Sequence, residues 1–432
     1  LVVLGVLLAG GATAAYYLPR EQTKNQTAPL KAAGTGNVRV DFLLEIFDQV
    51  RERYWDKIDE DTLGGVYQRS LSKLTNKVAE LNPPTRAGVQ AMLQTALQPL
   101  SEAEQNTLTV SLGDTVLANL NPFSRSRLYT TKHEQALQNT VKNVDTSTNL
   151  YDTLGLSKSA TAAEIAKAFA QKSAELKRSK AQDAAQKLAA VERAYQAVGT
   201  QAAREQYDKT GAEPTVTSRV VQKKTLYLKI SRVSPPTVQE LARTAESYAK
   251  QTELKYLVLD LRGNIGGDID ILPYFLGLFL GPDAYAYEFY HQGETTPYKT
   301  KVAWLPSLAR FKQVVVLTDG GTQSSAEVIA DTLKKYHLGL LVGSKTKGWG
   351  TVESVVPLKT VIDPASTYSM LLVHSVTVRD DGQAIEGRGV EPQVKVADPK
   401  WPTEFLSYYN FTDLLSAVRE LVGKVTPTAA PK

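Results

Sequence analysis

The 432-residue sequence contains no cysteine, which excludes disulfides, thiolate zinc sites and a cysteine nucleophile. Histidine is nearly as scarce. His133, His291, His337 and His374 stand at no metal-ligand spacing, and a lone histidine is more often structural than catalytic. Neither a metal nor a cofactor is expected. Blocks of like charge are missing too, because 50 Lys and Arg are scattered among 45 Asp and Glu for a formal net charge of +5. Such a pattern leaves no footprint for nucleic acid. The hydrophobic share of 42% and charged share of 22% are those of a folded globular chain. The length suits about three domains.

Long apolar runs are also missing, except at the start. LVVLGVLLAGGATAAYYLPR carries no charge before Arg20. The sequence opens without Met, so its first residues are expected to be absent. A few more would bring residues 1–17 close to the ~20 apolar residues that span a bilayer. A secretory signal is the alternative, with Ala12-Thr13-Ala14 as a small-residue cleavage site. We favour an anchor. Either would place the remainder on or across a membrane, in a periplasm, a lumen or otherwise outside the cytoplasm.

Residues 18–36 are polar, contain Pro and Gly, and read as a linker. An N-terminal helical region is expected over 37–147. Its first segment places Phe42, Leu43, Ile46, Phe47 and Val50 on one helical stripe. More helices follow through Leu120, interrupted at Asn82-Pro83-Pro84. A second helical block covers 148–212.

From Thr217 strands alternate with helices. TLYLKIS, KYLVLDL, QVVVLTD and LGLLVG read as buried strands, and VQELARTAESYAKQ, DIDILPYFLGLFL and SAEVIADTLKKY as helices. This alternation predicts an α/β core over 213–400 with a mostly parallel sheet. Residues 401–432 supply a last helix near TDLLSAVRELVG and a Pro/Ala tail expected to be mobile.

Three turns at strand ends carry the candidate chemistry, since ligands of parallel sheets sit beyond the carboxyl ends of the strands. In LDLRGNIGG, Gly263, Gly266 and Gly267 allow close backbone approach and can aim N–H groups at an oxyanion. In DGGTQSSAE, Ser324 and Ser325 open a helix whose N-terminal amides favour developing negative charge. Locally, Ser324-Ser325-Ala326-Glu327 is also a capping box, in which serine satisfies the helix end and Glu327 returns the bond. The third turn is GSKTKGWG, residues 343–350.

Together these turns resemble the C-terminal processing (tail-specific) serine peptidases. LDLRGNIGG is similar to their strand-and-glycine motif, with Ile265 where proline is usual. TQSSAE resembles their nucleophile motif, with Ser324 as nucleophile. Gly389-Val390-Glu391-Pro392 resembles their closing strand motif, and NPFSRSRLYTTKHEQAL the end of their helical region. The resemblance implies backbone amides of Gly266 and Ser325 as oxyanion donors, with Gly267 also at the substrate.

It also implies a lysine base. Aligning the glycines puts Trp349 on that position and Glu353 on the family's glutamine four residues later, so both positions are degenerate. An indole N–H donates but cannot accept a proton. Lys347, two residues earlier, would share the facing direction of 349 in an extended segment. Lys345 matches a family lysine that is not the base.

The family's peptide-binding PDZ domain is not found between helical region and core. Its place holds the 148–212 block, where Tyr151, Leu154-Gly155, Ile165, Ala168-Phe169, Ala194-Tyr195, Arg204, Tyr207-Asp208 and Gly211 resemble a J-domain. The J-domain's His-Pro-Asp, which stimulates a chaperone ATPase, falls on Lys177, Arg178 and Ser179. The module is therefore expected to be degenerate, serving for docking or spacing.

Three functions follow from these expectations. One is a membrane-anchored serine endopeptidase with Ser324 as nucleophile and Lys347, or Lys345, as base. The second is a pseudopeptidase that binds a polypeptide without cleaving it. The third is a chaperone accessory, against which the missing tripeptide speaks. The expected partners are a polypeptide or protein and the membrane, without nucleic acid, and an oligomer or a membrane complex is compatible with them.

Overall fold

A computed structural model describes residues 34–379 and 381–423 as two compact units. The expectations for the 1–17 anchor, most of the linker and the C-terminal tail lie outside the described residues. No helix among the described residues is long and apolar enough to cross a membrane.

One unit combines residues up to Glu134 with 352–375. Its helices Val38–Arg53, Glu60–Thr75, Arg86–Leu97 and Glu102–Ala118 start at residues suited to the task. Asn37, Asp59 and Thr85 each accept a backbone N–H of the first turn, offsetting the unpaired amides of a helix end. The predicted stripe of Phe42, Leu43, Ile46, Phe47 and Val50 is fully buried. Each such side chain contributes about 1.5–3 kcal/mol. Residues 352–375 pack here because Val356, Ile362, Met370, Leu372 and Val373 enter the same core. Strand Arg127–Thr130 pairs antiparallel with Tyr368–Leu371.

The other unit holds residues 135–351 and those from Val376 on. Its helices Leu150–Leu154, Ala162–Arg178, Ala184–Val198 and Gln201–Thr210 bury Tyr151, Leu154, Ile165 and Ala194 together. The Phe169 and Tyr195 rings stack at 4.0 Å, and the Tyr151 hydroxyl donates to Asp208 at 3.0 Å. The residues carrying the J-domain resemblance thus hold these helices to each other.

The core of this unit is a six-stranded sheet. Its strands lie in the spatial order Val394–Lys395, Leu340–Gly343, Gln313–Thr318, Tyr256–Asp260, Thr225–Ile230 and Val216–Val221. Neighbours are parallel throughout the first five, and Val216–Val221 closes the edge antiparallel. Helices Thr237–Ser247, Leu272–Leu280 and Ser325–Lys335 fall where the alternation puts them. A hairpin of Tyr285–His291 and Glu294–Lys299 and the antiparallel pairing of Val376–Val378 with Glu288–Tyr290 belong to a second, separate sheet. The architecture is α/β, mostly parallel, as expected.

Candidate active site

Tyr256–Asp260, Gln313–Thr318 and Leu340–Gly343 are side by side and parallel, so the turns following them open on one edge of the sheet. Hydrogen bonds lock these turns together. Gly263 N–H donates to Asp319 Oδ1 at 2.8 Å, and Gln323 N–H to the Asn264 carbonyl at 2.9 Å. Thr322 Oγ1 donates to the Leu261 carbonyl at 2.9 Å. Between the second and third turns, Lys347 N–H donates to the Thr322 carbonyl at 2.9 Å.

Ser324 stands at the start of helix Ser325–Lys335 with φ 52° and ψ −126°. That conformation costs a non-glycine residue about 1–3 kcal/mol and persists only where neighbours impose it. Gly266 is one of those neighbours. At φ +84° it lies so near that an added Cβ would stand 2.7 Å from the Ser324 Cβ. The first and second turns therefore meet at the candidate nucleophile.

Glu327 joins the third turn to them. It is fully buried, and its carboxylate accepts four donors. Oε2 takes Ser324 N–H at 3.0 Å and Trp349 N–H at 2.8 Å. Oε1 takes Gly348 N–H at 2.8 Å and Thr346 Oγ1 at 2.5 Å. Burial raises the Glu327 pKa, and these donors partly counter the rise. The capping reading found the bond to Ser324; the bonds to Thr346, Gly348 and Trp349 come from a distant segment and leave no local signature.

The position aligned with the family's lysine thus lies beside the serine, its amide sharing an acceptor oxygen with Ser324. It carries an indole. Lys347 is exposed. Gly348 has φ +80°, so the segment is not extended between 347 and 349, and the alternation that would align the two side chains does not apply. Lys345 is half exposed and forms an ion pair with Glu391 at 3.4 Å. Glu353 belongs to the helical unit, on strand Thr351–Pro357.

Of the oxyanion candidates, Gly266 has its N–H engaged by Asn264 Oδ1 at 2.9 Å. The N–H groups of Gly267 and Ser325 meet no acceptor among the described residues. Ser325 Oγ donates to the Gly267 carbonyl at 3.1 Å, holding these two residues together. The segment resembling the closing motif also reaches the site: Val390 N–H donates to Thr346 Oγ1 at 2.7 Å. No group of acidic or histidine side chains suited to a metal occurs among the described residues.

Below the first turn, Asp260 is buried and accepts bonds from Arg262 N–H and Nε at 2.9 Å, Arg262 Nη2 at 2.6 Å and the Tyr227 hydroxyl at 2.8 Å. Lys229 Nζ stands 3.4 Å away. Burial alone would raise the Asp260 pKa, but the Arg262 bonds and the Lys229 charge prevail and lower it. Sequence reading passed over this cluster.

The sheet and its turns form an α/β core with Ser324 at the junction of two turns. Residues 224–396 match the model described as peptidase family S41, and residues 149–208 match the DnaJ domain; the core is thus similar to S41 peptidases and the helices before it to a J-domain. A carboxy-terminal-processing protease of Bartonella bacilliformis is 25% identical over 203 residues, covering 46% of this chain and 44% of that protein. The carboxy-terminal processing protease CtpA of Bacillus subtilis is 31% identical over 176 residues, covering 40% and 35%. The chain thus aligns with less than half the length of these relatives. A solved photosystem II D1 C-terminal processing protease superposes with a TM-score of 0.47 at 15% identity, over 84% of this chain and 94% of that one.

Proposed function

We propose that this chain is a non-hydrolytic, polypeptide-binding member of the S41 architecture, working at a membrane outside the cytoplasm. The relatives' names supply the ligand class, polypeptide C-termini. The apolar run of residues 1–17 supports the location. One observation supports the loss of hydrolysis: Glu327 Oε2 accepts both the Ser324 and Trp349 amides, so the position that the resemblance gives to the lysine base lies beside the serine and is a tryptophan. A neutral amine suits that role only when burial or neighbouring cations depress its pKa, and Lys345 and Lys347 stand exposed. Losing a general base costs ~10²–10⁴ in rate.

Unstructured peptides of about 15–20 residues, incubated with the purified chain, test this reading by fluorescence anisotropy and mass spectrometry. A complex with intact peptide is expected. Cleavage that disappears in Ser324→Ala would overturn it.

The strained backbone at Ser324 favours a second reading, a serine endopeptidase that uses Lys347 as base and the Gly267 and Ser325 amides as oxyanion donors. That reading needs cleavage lost in both Ser324→Ala and Lys347→Ala.

A further inference from the structure

A polar cavity of about 720 Å³ lies between the J-like helices and the sheet. Arg193 and Gln196 line it from helix Ala184–Val198, and Thr217, Lys229, Ser231 and Arg232 from the core. Two of its three cations are already matched. Arg193 binds Glu213 through Nε at 2.6 Å and Asp145 through Nη2 at 2.7 Å. Lys229 faces Asp260 at 3.4 Å. Arg232 differs. Its Nε and Nη1 are buried without a hydrogen-bond partner, and burial alone lowers its pKa with no opposing carboxylate.

A half-buried guanidinium without an acceptor is unfavourable in the free protein. A planar carboxylate relieves part of this, since its two oxygens match one edge of the guanidinium, pairing Nη2 with either Nε or Nη1. A doubly charged phosphate suits the cavity less well, because the Glu213 and Asp145 carboxylates also line it. The cavity also borders the candidate site in sequence and in space. The residue after Arg232 is Val233, whose N–H donates to the Gly266 carbonyl at 3.0 Å and whose carbonyl accepts Asp268 N–H at 2.7 Å.

We propose that Arg232 binds the C-terminal carboxylate of a polypeptide that enters this cavity, with the J-like module supplying the opposite wall. The inference rests on the polypeptide-binding reading above and names the group by which the ligand is recognised.

Three versions of one unstructured peptide test it on the full chain by anisotropy: the free C-terminal acid, the C-terminal amide, and an amide with glutamate as last residue. Charged hydrogen bonds of this kind set a preference of about tenfold or more for the free acid over both amides. Arg232→Gln should bring the ratio between acid and amide close to one, and Arg232→Lys should restore part of it. Removing an unmatched cation is not expected to lower the Tm, so thermal melts separate lost recognition from lost folding.

Equal binding of acid and amide by the wild type overturns the carboxylate site and leaves polypeptide binding standing. So does a ratio that Arg232→Gln does not change. Tight binding of the glutamate amide alone assigns the site to side-chain carboxylates and overturns the terminal one. Failure of every peptide to bind overturns polypeptide binding itself, and the inference with it.

Discussion

Gly266 and Ser324 touch so closely that a methyl group on the glycine would lie 2.7 Å from the serine Cβ, 2.9 Å from the Gln323 carbonyl and 3.0 Å from the Ser325 amide. Two of these three neighbours are backbone atoms, which cannot swing aside. The positive φ of Gly266 adds its own penalty for any L side chain. Gly266→Ala should therefore destabilise the protein by about 1–3 kcal/mol in urea denaturation and push Ser324 off the first turn. A stability within ~0.5 kcal/mol of wild type would show that the two turns do not press together.

Glu327 extends that junction to the third turn. Glu327→Ala leaves three backbone amides and the Thr346 hydroxyl without their acceptor, at about 1–3 kcal/mol for each donor that water does not reach. We expect a loss of at least about 3 kcal/mol. Glu327→Gln keeps one acceptor oxygen but turns an NH2 toward donors, so its loss should be intermediate. Denaturant midpoints of the two variants check the order. A Gln variant weaker than the Ala variant would contradict it.

Much of this site was legible. The alternation of buried strands with amphipathic helices fixes the sheet, and the glycine and serine turns follow its strands. What stayed hidden depends on contacts between distant segments. Ser324-x-x-Glu327 announces a cap, yet nothing nearby tells that Glu327 also grips Thr346, Gly348 and Trp349. Lys347 and Trp349 read as neighbours on one face until the positive φ of Gly348 turns the chain. Val356 and Met370 look like core strand residues, and only packing shows that they join the helical unit. Arg232 gives no signal at all, because an arginine's lack of a partner is a property of three dimensions.

Trp349→Lys asks whether the base is the main element missing. The backbone at 349 is fixed by Glu327 beside Ser324, so the new amine starts from the right place. Only the neutral amine accepts the serine proton, so hydrolysis should appear and rise with pH as the amine loses its charge. About 10²–10⁴ over the wild-type rate is expected, measured by mass spectrometry on a peptide that the wild type binds. The double variant with Ser324→Ala should be silent. If Trp349→Lys binds peptide and cleaves none, other parts of the machinery have also been lost.

Asp260 sets an acid limit for the fold. Its carboxyl has a lowered pKa when folded, so the folded state binds this proton more weakly than the unfolded chain does. The stabilisation is fully present above the unfolded value of about 3.9 and disappears as pH falls through the lower folded value. Urea denaturation should therefore show stability falling steeply below about pH 4. Asp260→Asn leaves Arg262 and Lys229 facing an uncharged group, and breaking a buried pair costs about 3–5 kcal/mol near neutrality. The wild-type and Asp260→Asn curves should converge as the pH drops, because protonation removes the same charge that the substitution removes. Parallel curves down to about pH 2 would show that the Asp260 charge does not hold the strand end and its turn together.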